Sequence, residues 1–130
     1  MIEIAIALVW REGRLLIARR PPGTHLGGRW EFPGGKCQPG ESPVECVRRE
    51  VREELAIEIE PVRARPPIEY DYGDRQVRLH PFDCVHRAGE PHSAIGSEWR
   101  WVRPEDLAGF DFPAANEGLI RSLARGEGEG

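Results

Sequence analysis

The 130-residue sequence predicts an α/β protein, a mixed β-sheet held between helical layers, on three observations. Residues 2–10 are apolar and β-branched with little polar alternation, the pattern of a strand buried on both faces. Residues 42–55 carry a helix-start signal followed by apolar residues at helical spacing. A second helical segment at 113–123 follows several strand-like runs, so helices and strands interleave along the chain.

Taken in order, residues 2–10 form the first strand, residues 11–14 (Arg-Glu-Gly-Arg) a turn, and residues 15–18 the start of a second strand. Residues 21–28 are rich in Pro and Gly and read as a loop. A short strand at 30–32 precedes a turn at Gly34-Gly35. The helix at 43–55 is the best-marked element. Ser42-Pro43-Val44-Glu45 is a capping box with Pro at the first helical position. Val44, Val47, Val51 and Leu55 recur at helical spacing and predict its buried stripe. Residues 57–62, 68–72, 76–86 and 99–102 read as strands and 104–107 as one helical turn. The terminal helix at 113–123 has Pro early, as helix starts allow. Residues 1–125 are expected to form a single domain and 126–130, Gly-Glu-Gly-Glu-Gly, a frayed tail.

The central helix carries an arrangement that helix physics opposes. Glu50, Glu53 and Glu54 stand at i, i+3 and i+4, so three like charges share one face. Glu53 and Glu54 also lie near the helix C-terminus, where the macrodipole disfavours negative charge. At about 100° per residue the acids sit roughly a third of a turn from the apolar stripe, which places them on a cleft edge. One reading is a solvated charged face. The other is a binding surface for a hard divalent cation, which takes carboxylate oxygens and is shared with substrate phosphates.

The spacing favours the second reading. The segment from Gly35 to Ile57, GKCQPGESPVECVRREVREELAI, resembles the signature of the Nudix family, G-x5-E-x7-R-E-U-x-E-E-x-G-U with U aliphatic. Gly35, Glu41, Arg49, Glu50, Val51, Glu53, Glu54 and Ile57 match; Ala56 stands where the family has Gly. If position 56 takes a positive φ, Ala there costs about 1 kcal/mol relative to Gly. Trp30-Glu31-Phe32-Pro33-Gly34-Gly35-Lys36, Glu69-Tyr70-Asp71-Tyr72 with Asp74-Arg75, Glu98-Trp99 and Phe112-Pro113-Ala114-Ala115-Asn116-Glu117 are similar to the MutT-like branch. The resemblance implies the Nudix fold, an α/β/α sandwich around a mixed sheet. It implies Mg²⁺-dependent hydrolysis, with Mn²⁺ as the alternative ion, of oxidised purine nucleoside triphosphates to monophosphate and pyrophosphate, 8-oxo-dGTP above all.

On that basis the roles divide as follows. Glu50, Glu53 and Glu54, with the Gly34 carbonyl, are the expected metal ligands. Arg49 is expected to orient its neighbouring carboxylates. Glu41 either bonds Arg49 or loop amides, or is a plain helix-start acid. As general base Glu53 ranks first, Glu50 second and Glu98 third, because the loop at 92–97 contains no acid. Arg20 and Arg75 match nucleotide-contacting arginines of the branch, with Lys36 and Arg29 as secondary candidates. Lys36 is the one lysine among 18 basic residues. It is either a chance survivor of Arg-biased codon usage or a compact charge beside a phosphate. Asn116 offers one acceptor and two donors, which match the O6 and N7–H of 8-oxoguanine. The same amide, flipped, pairs with adenine or cytosine, and its other reading is a cap for the terminal helix. Trp30, Phe32 and Phe82 are core residues or stacking surfaces. The four histidines show no ligand spacing and read as structural or surface residues.

Bulk properties bound the alternatives. A net charge of −4 provides no basic field for a nucleic-acid polymer, so free nucleotides are the expected partners. Cys37, Cys46 and Cys84 form no metal or CxxC pattern and read as reduced thiols of a cytoplasmic protein. No apolar run is long enough to cross a membrane. The competing functions are hydrolysis of CTP, of a modified dCTP or of many triphosphates, and a Nudix-shaped binding domain without turnover. Against the last, every acid of the motif is present.

Overall fold

The computed structural model describes residues 1–126; residues 127–130, most of the expected tail, lie outside the described residues. Strand β1 (Ile2–Arg11) organises the sheet. It runs parallel to β7 (Gln76–Ala88) from the Ile2–Val77 pair to Trp10–Val85. Its other edge is shared: β4 (Gly34–Lys36) pairs with its first half and β2 (Arg14–Arg19) with its end, both antiparallel. β2 is flanked in turn by β3 (Trp30–Glu31) and β8 (Trp99–Val102). The far edge of β7 carries β5 (Glu58–Ala64) and β6 (Ile68–Asp71). Pro81 falls where β7 changes partner between β6 and β5, the place where a strand can spare an N–H.

The unbroken apolar character of β1 is explained by two cores. Ala5, Ala7 and Val9 join Leu16 beneath helix α1 (Pro43–Leu55), while Ile6 and Leu8 join Leu15 and Ile17 beneath helix α2 (Glu117–Ala124). Successive side chains alternate between faces, so a strand covered on both sides must be apolar at every position. The result is the expected α/β/α sandwich. The capping box of α1 is formed on both sides: the Ser42 hydroxyl accepts from Glu45 N and the Glu45 carboxylate accepts from Ser42 N. Cys46 and Cys84 are buried free thiols whose pKa values burial pushes up to about 12, which leaves them unreactive.

Three expectations need correction. Gly34-Gly35 is not a turn but strand β4. A Cβ on Gly34 would lie 2.0 Å from the Ala5 carbonyl oxygen, so the close approach to β1 requires glycine. Val44 is not part of the buried stripe; it is 40% exposed, and Cys46 is buried instead. Val44 lies at nearly the same azimuth as Val51, seven residues on, so its exposure reflects its place in the first helical turn and not its face of the helix. The terminal helix does not run unbroken from 113. Residues Ala114–Asn116 form a 3-10 turn, closed by Asn116 N donating to Pro113 O, and α2 begins at Glu117.

Candidate active site

A cleft of about 190 Å³ opens beside β4 on the α2 side of the sheet. Arg20, Lys36, Arg75 and Asn116 line it together, although they come from four separate parts of the chain. Arg29 does not join them; it points outward, 3.7 Å from Asp111. Asn116 is buried, stands at the junction of the 3-10 turn and α2, and makes no side-chain cap bond, so the capping role is not realised. Its segment is pinned by Ala115 N, which donates to the Tyr72 hydroxyl at 3.3 Å. Arg75 Nε is buried without a hydrogen-bond partner among the described residues, 3.5 Å from Asp74.

His25 and Tyr72 also line this cleft, in edge-to-face contact at 5.2 Å. His25 corrects the reading of all four histidines as structural or surface groups. Its Nε2 is buried with no partner among the described residues, and burial, then the Arg75 charge, hold its pKa below the usual histidine value. The other assignments of that group stand for His80, bonded to Glu3 at 2.7 Å, and for His86, bonded to the Gly89 carbonyl at 2.6 Å. Trp30 and Phe32 belong to the core beneath α2, and Phe82 packs on the opposite core.

Arg49 is the centre of the acidic face. Its Nε and Nη2 donate to Glu41 at 2.6 and 2.9 Å, its Nη1 to Glu50 at 2.9 Å and to Glu53 at 3.0 Å. Nη2 also reaches the Lys36 carbonyl at 3.2 Å, which ties α1 to β4. Of the two readings of Glu41, both bonded options are realised, since it also accepts from Gln38 N at 3.0 Å. The Arg49 hydrogen bond, then the Gln38 amide, hold the Glu41 pKa down at about 2. Gly35 makes room for Glu50: a Cβ there would lie 2.3 Å from the Glu50 carboxylate. Glu98 is held by Arg19 at 3.0 Å and is not among the cleft-lining residues.

Glu54 lies deeper, and an acid absent from the sequence-based site lies beside it. Burial, then the charges of Glu31 and Glu50, push the Glu54 pKa up to about 8. Burial raises the Glu31 pKa as well, against the opposing pull of Arg20, which bonds it at 2.7 Å. Glu31 was legible in principle. Trp30 and Phe32 face the core beneath α2, so strand alternation turns Glu31 away from them.

These residues fit a divalent cation by their chemistry. Glu54 Oε1 is buried and has no hydrogen-bond partner among the described residues, and the neighbouring carboxylates repel one another. Both defects are relieved by one positive charge. Among the described residues no three His, Cys, Asp or Glu side chains converge at ligand distance, because Glu50 and Glu53 are turned toward Arg49. Binding would therefore draw these carboxylates from the guanidinium.

Comparison with known proteins agrees with this geometry. The family profile described as NUDIX domain matches residues 5–122. The chain is 36% identical over 126 residues to an 8-oxo-dGTP diphosphatase of Escherichia coli, covering 95% of this chain and 97% of the relative. It is 30% identical over 123 residues to a CTP pyrophosphohydrolase of the same organism, covering 95% and 91%. Among solved structures it is similar to a MutT protein from Methanosarcina mazei, with a TM-score of 0.85, 29% identity, and coverage of 96% and 94%.

Proposed function

The chain belongs to the Nudix hydrolase family, and we propose that it hydrolyses 8-oxo-dGTP to 8-oxo-dGMP and pyrophosphate. The observation that carries this reading is the meeting of the Arg49-centred acidic face with a cleft lined by Arg20, Lys36, Arg75 and the buried Asn116. Glu50, Glu53, Glu54 and the Gly34 carbonyl would hold Mg²⁺ or Mn²⁺. Bound there, the cation neutralises negative charge that spreads over the phosphoryl oxygens in the transition state.

The protein's own groups do the rest. Arg49 gathers Glu50 and Glu53 on the cleft edge and is their counter-charge until the cation takes its place. Glu53 takes the proton of the attacking water; its side chain is 61% exposed against 21% for Glu50, which leaves it open to solvent. Arg20, Arg75 and Lys36 supply donors to phosphate oxygens away from the metal. Asn116 donates its amide N–H to O6 and accepts the N7–H of the oxidised base. Unmodified guanine presents a lone pair at N7 instead, and an unmatched buried acceptor costs roughly 1–3 kcal/mol. Residues 1–125 act as one domain, a reading supported by strands from both halves of the chain in one sheet. No described helix is long and apolar enough to cross a membrane; work on free nucleotides in the cytoplasm is part of the proposed reading.

A second reading, CTP hydrolysis, is favoured by the likeness to the CTP pyrophosphohydrolase and by the ability of Asn116 to pair with cytosine. Product analysis and kcat/KM for 8-oxo-dGTP, dGTP and CTP with Mg²⁺ decide between them. A preference for 8-oxo-dGTP above about tenfold, or ~1.4 kcal/mol, supports the first reading. A smaller preference, or CTP as the best substrate, overturns it.

A further inference from the structure

We propose that Glu31 couples the two halves of the site, so that nucleotide phosphates and a divalent cation each strengthen the binding of the other. The inference rests on the nucleotide hydrolase reading above. Glu31 lies outside the Gly35–Ile57 motif, on β3. Its Oε1 accepts from Arg20 Nη1 at 2.7 Å, and Arg20 Nε donates to the His25 carbonyl at 2.8 Å. The pair is largely withdrawn from water, with side-chain exposures of 30% for Arg20 and 19% for Glu31. On its other side Glu31 meets the acids of α1: it lines the cleft with Gly35, where a Cβ would lie 2.3 Å from the Glu50 carboxylate, and its charge interacts with those of Glu50 and Glu54.

In the free protein, then, Arg20 is the counter-charge of Glu31. A phosphate that engages the Arg20 guanidinium removes that counter-charge and leaves Glu31 facing the Glu50 carboxylate and the buried Glu54 carboxyl. Neutrality returns when a cation settles on the acidic face, where Glu54 Oε1 is a buried oxygen without a partner among the described residues. In the opposite order, a cation draws Glu31 away from Arg20 and frees the guanidinium for phosphate. Linkage requires the two effects to be equal. Glu31 is thus a positioning residue: it acts through Arg20 and through the acids of α1, and one ion pair connects the phosphate side to the metal side.

The test reads metal binding directly. Mn²⁺ is titrated into the protein, followed by its electron paramagnetic resonance, with and without α,β-methylene-dGTP, a nucleotide whose bridging carbon resists hydrolysis. The direct attraction of Mn²⁺ for phosphates is common to all variants, so differences between proteins isolate Glu31. Glu31→Gln is expected to reduce the mutual strengthening by at least about fivefold, the lower end of measured couplings between sites, and Glu31→Asp to retain most of it. Arg20→Gln, which removes the other half of the pair, is expected to match Glu31→Gln and serves in its place if that variant does not fold. Undiminished coupling in a folded Glu31→Gln or Arg20→Gln protein overturns the proposal. If wild type still cleaves 8-oxo-dGTP, that result removes the role of Glu31 alone. If wild type binds no Mn²⁺ and cleaves no nucleotide, the hydrolase reading falls with it.

Discussion

The acidic face of α1 and the cleft beside it are built in opposite ways. The acidic face is local: Gly35, Glu41, Arg49, Glu50, Glu53 and Glu54 lie within about six helical turns of chain, and one guanidinium binds three of the acids. Its groups are paired through Arg49 except Glu54, whose Oε1 is buried without a hydrogen-bond partner among the described residues. The cleft is non-local, assembled from the loop at 21–28, β3, the segment around Tyr72 and Arg75, and the 3-10 turn before α2. Two of its buried polar atoms are left open: His25 Nε2 and Arg75 Nε make no hydrogen bond among the described residues, Arg75 Nε lying 3.5 Å from Asp74. A region paired internally is assembled before substrate arrives and exchanges partners when the cation binds, whereas an unpaired one waits for the ligand to complete it. In the proposed function the first carries the hydrolytic chemistry and the second the choice of substrate.

The largest expected effect breaks the local region. Glu53→Gln removes the proposed base but keeps an oxygen for Arg49, so kcat is expected to fall by about 10²–10⁴-fold with KM little changed. Steady-state kinetics at saturating metal check this, and a normal kcat would transfer the role to Glu50. Breaking the cleft gives a smaller and qualitatively different loss. Asn116→Ala is expected to lower the preference for 8-oxo-dGTP over dGTP by roughly 5–150-fold, the equivalent of ~1–3 kcal/mol, with metal activation unchanged. A variant that loses activity on both nucleotides equally would show Asn116 to be structural.

That contrast also governs what the sequence reveals. Glu41, Arg49, Glu50, Glu53 and Glu54 are legible because a helix converts fixed spacing into a fixed face, and α1 has the predicted bounds, Pro43–Leu55. Arg20, Arg75 and the Asn116 segment became legible through resemblance, and Lys36 as the one lysine among 18 basic residues, since nothing in their spacing brings them together. Strand alternation offers Glu31, but the His25 side chain and the outward turn of Arg29 depend on loop closure, which a local pattern does not encode. Arg20 N, for example, meets Arg29 O at 2.7 Å, and that closure sends the two guanidinium groups to different sides. The misread β4 has the same origin: two glycines suggest a turn until the neighbouring strand is known.

Titration separates the regions further, through stability in the absence of metal. Glu41 has a depressed folded pKa, so its contribution is present above about pH 4.5 and is lost as the pH falls toward 2. Glu54 has the opposite sign. Its folded pKa is raised to about 8, so the folded state keeps a proton that the unfolded chain releases near 4.5. Stability should therefore decline as the pH rises from about 4.5 to 8. Glu54→Gln is expected to abolish that decline and to raise the melting temperature of metal-free protein at pH 8 more than at pH 5. Added Mn²⁺ should raise it for wild type and far less for the variant. Thermal unfolding at the two pH values checks both, and parallel curves for wild type and variant would show that Glu54 ionises freely.

The smallest expected effect lies just past the acidic helix and leaves the chemistry alone. Ala56 caps α1 at φ 57° and ψ 30°, the left-handed region that favours glycine, and its N–H donates to the Arg52 carbonyl. The family position is Gly, so this chain carries a strained cap where its relatives' signature carries a relaxed one. Relief of that strain contributes about 1 kcal/mol, part of which is offset because glycine also loosens the unfolded chain. Ala56→Gly should therefore raise the melting temperature by roughly 1–4 °C. Because the residue follows Leu55, buried on the face turned away from the acids, kcat and metal affinity should not move. A rise in stability with unchanged kinetics would show that the cap and the acidic face are energetically separate. A fall in kcat would instead show that the strained cap holds Glu53 and Glu54 in register, one turn away.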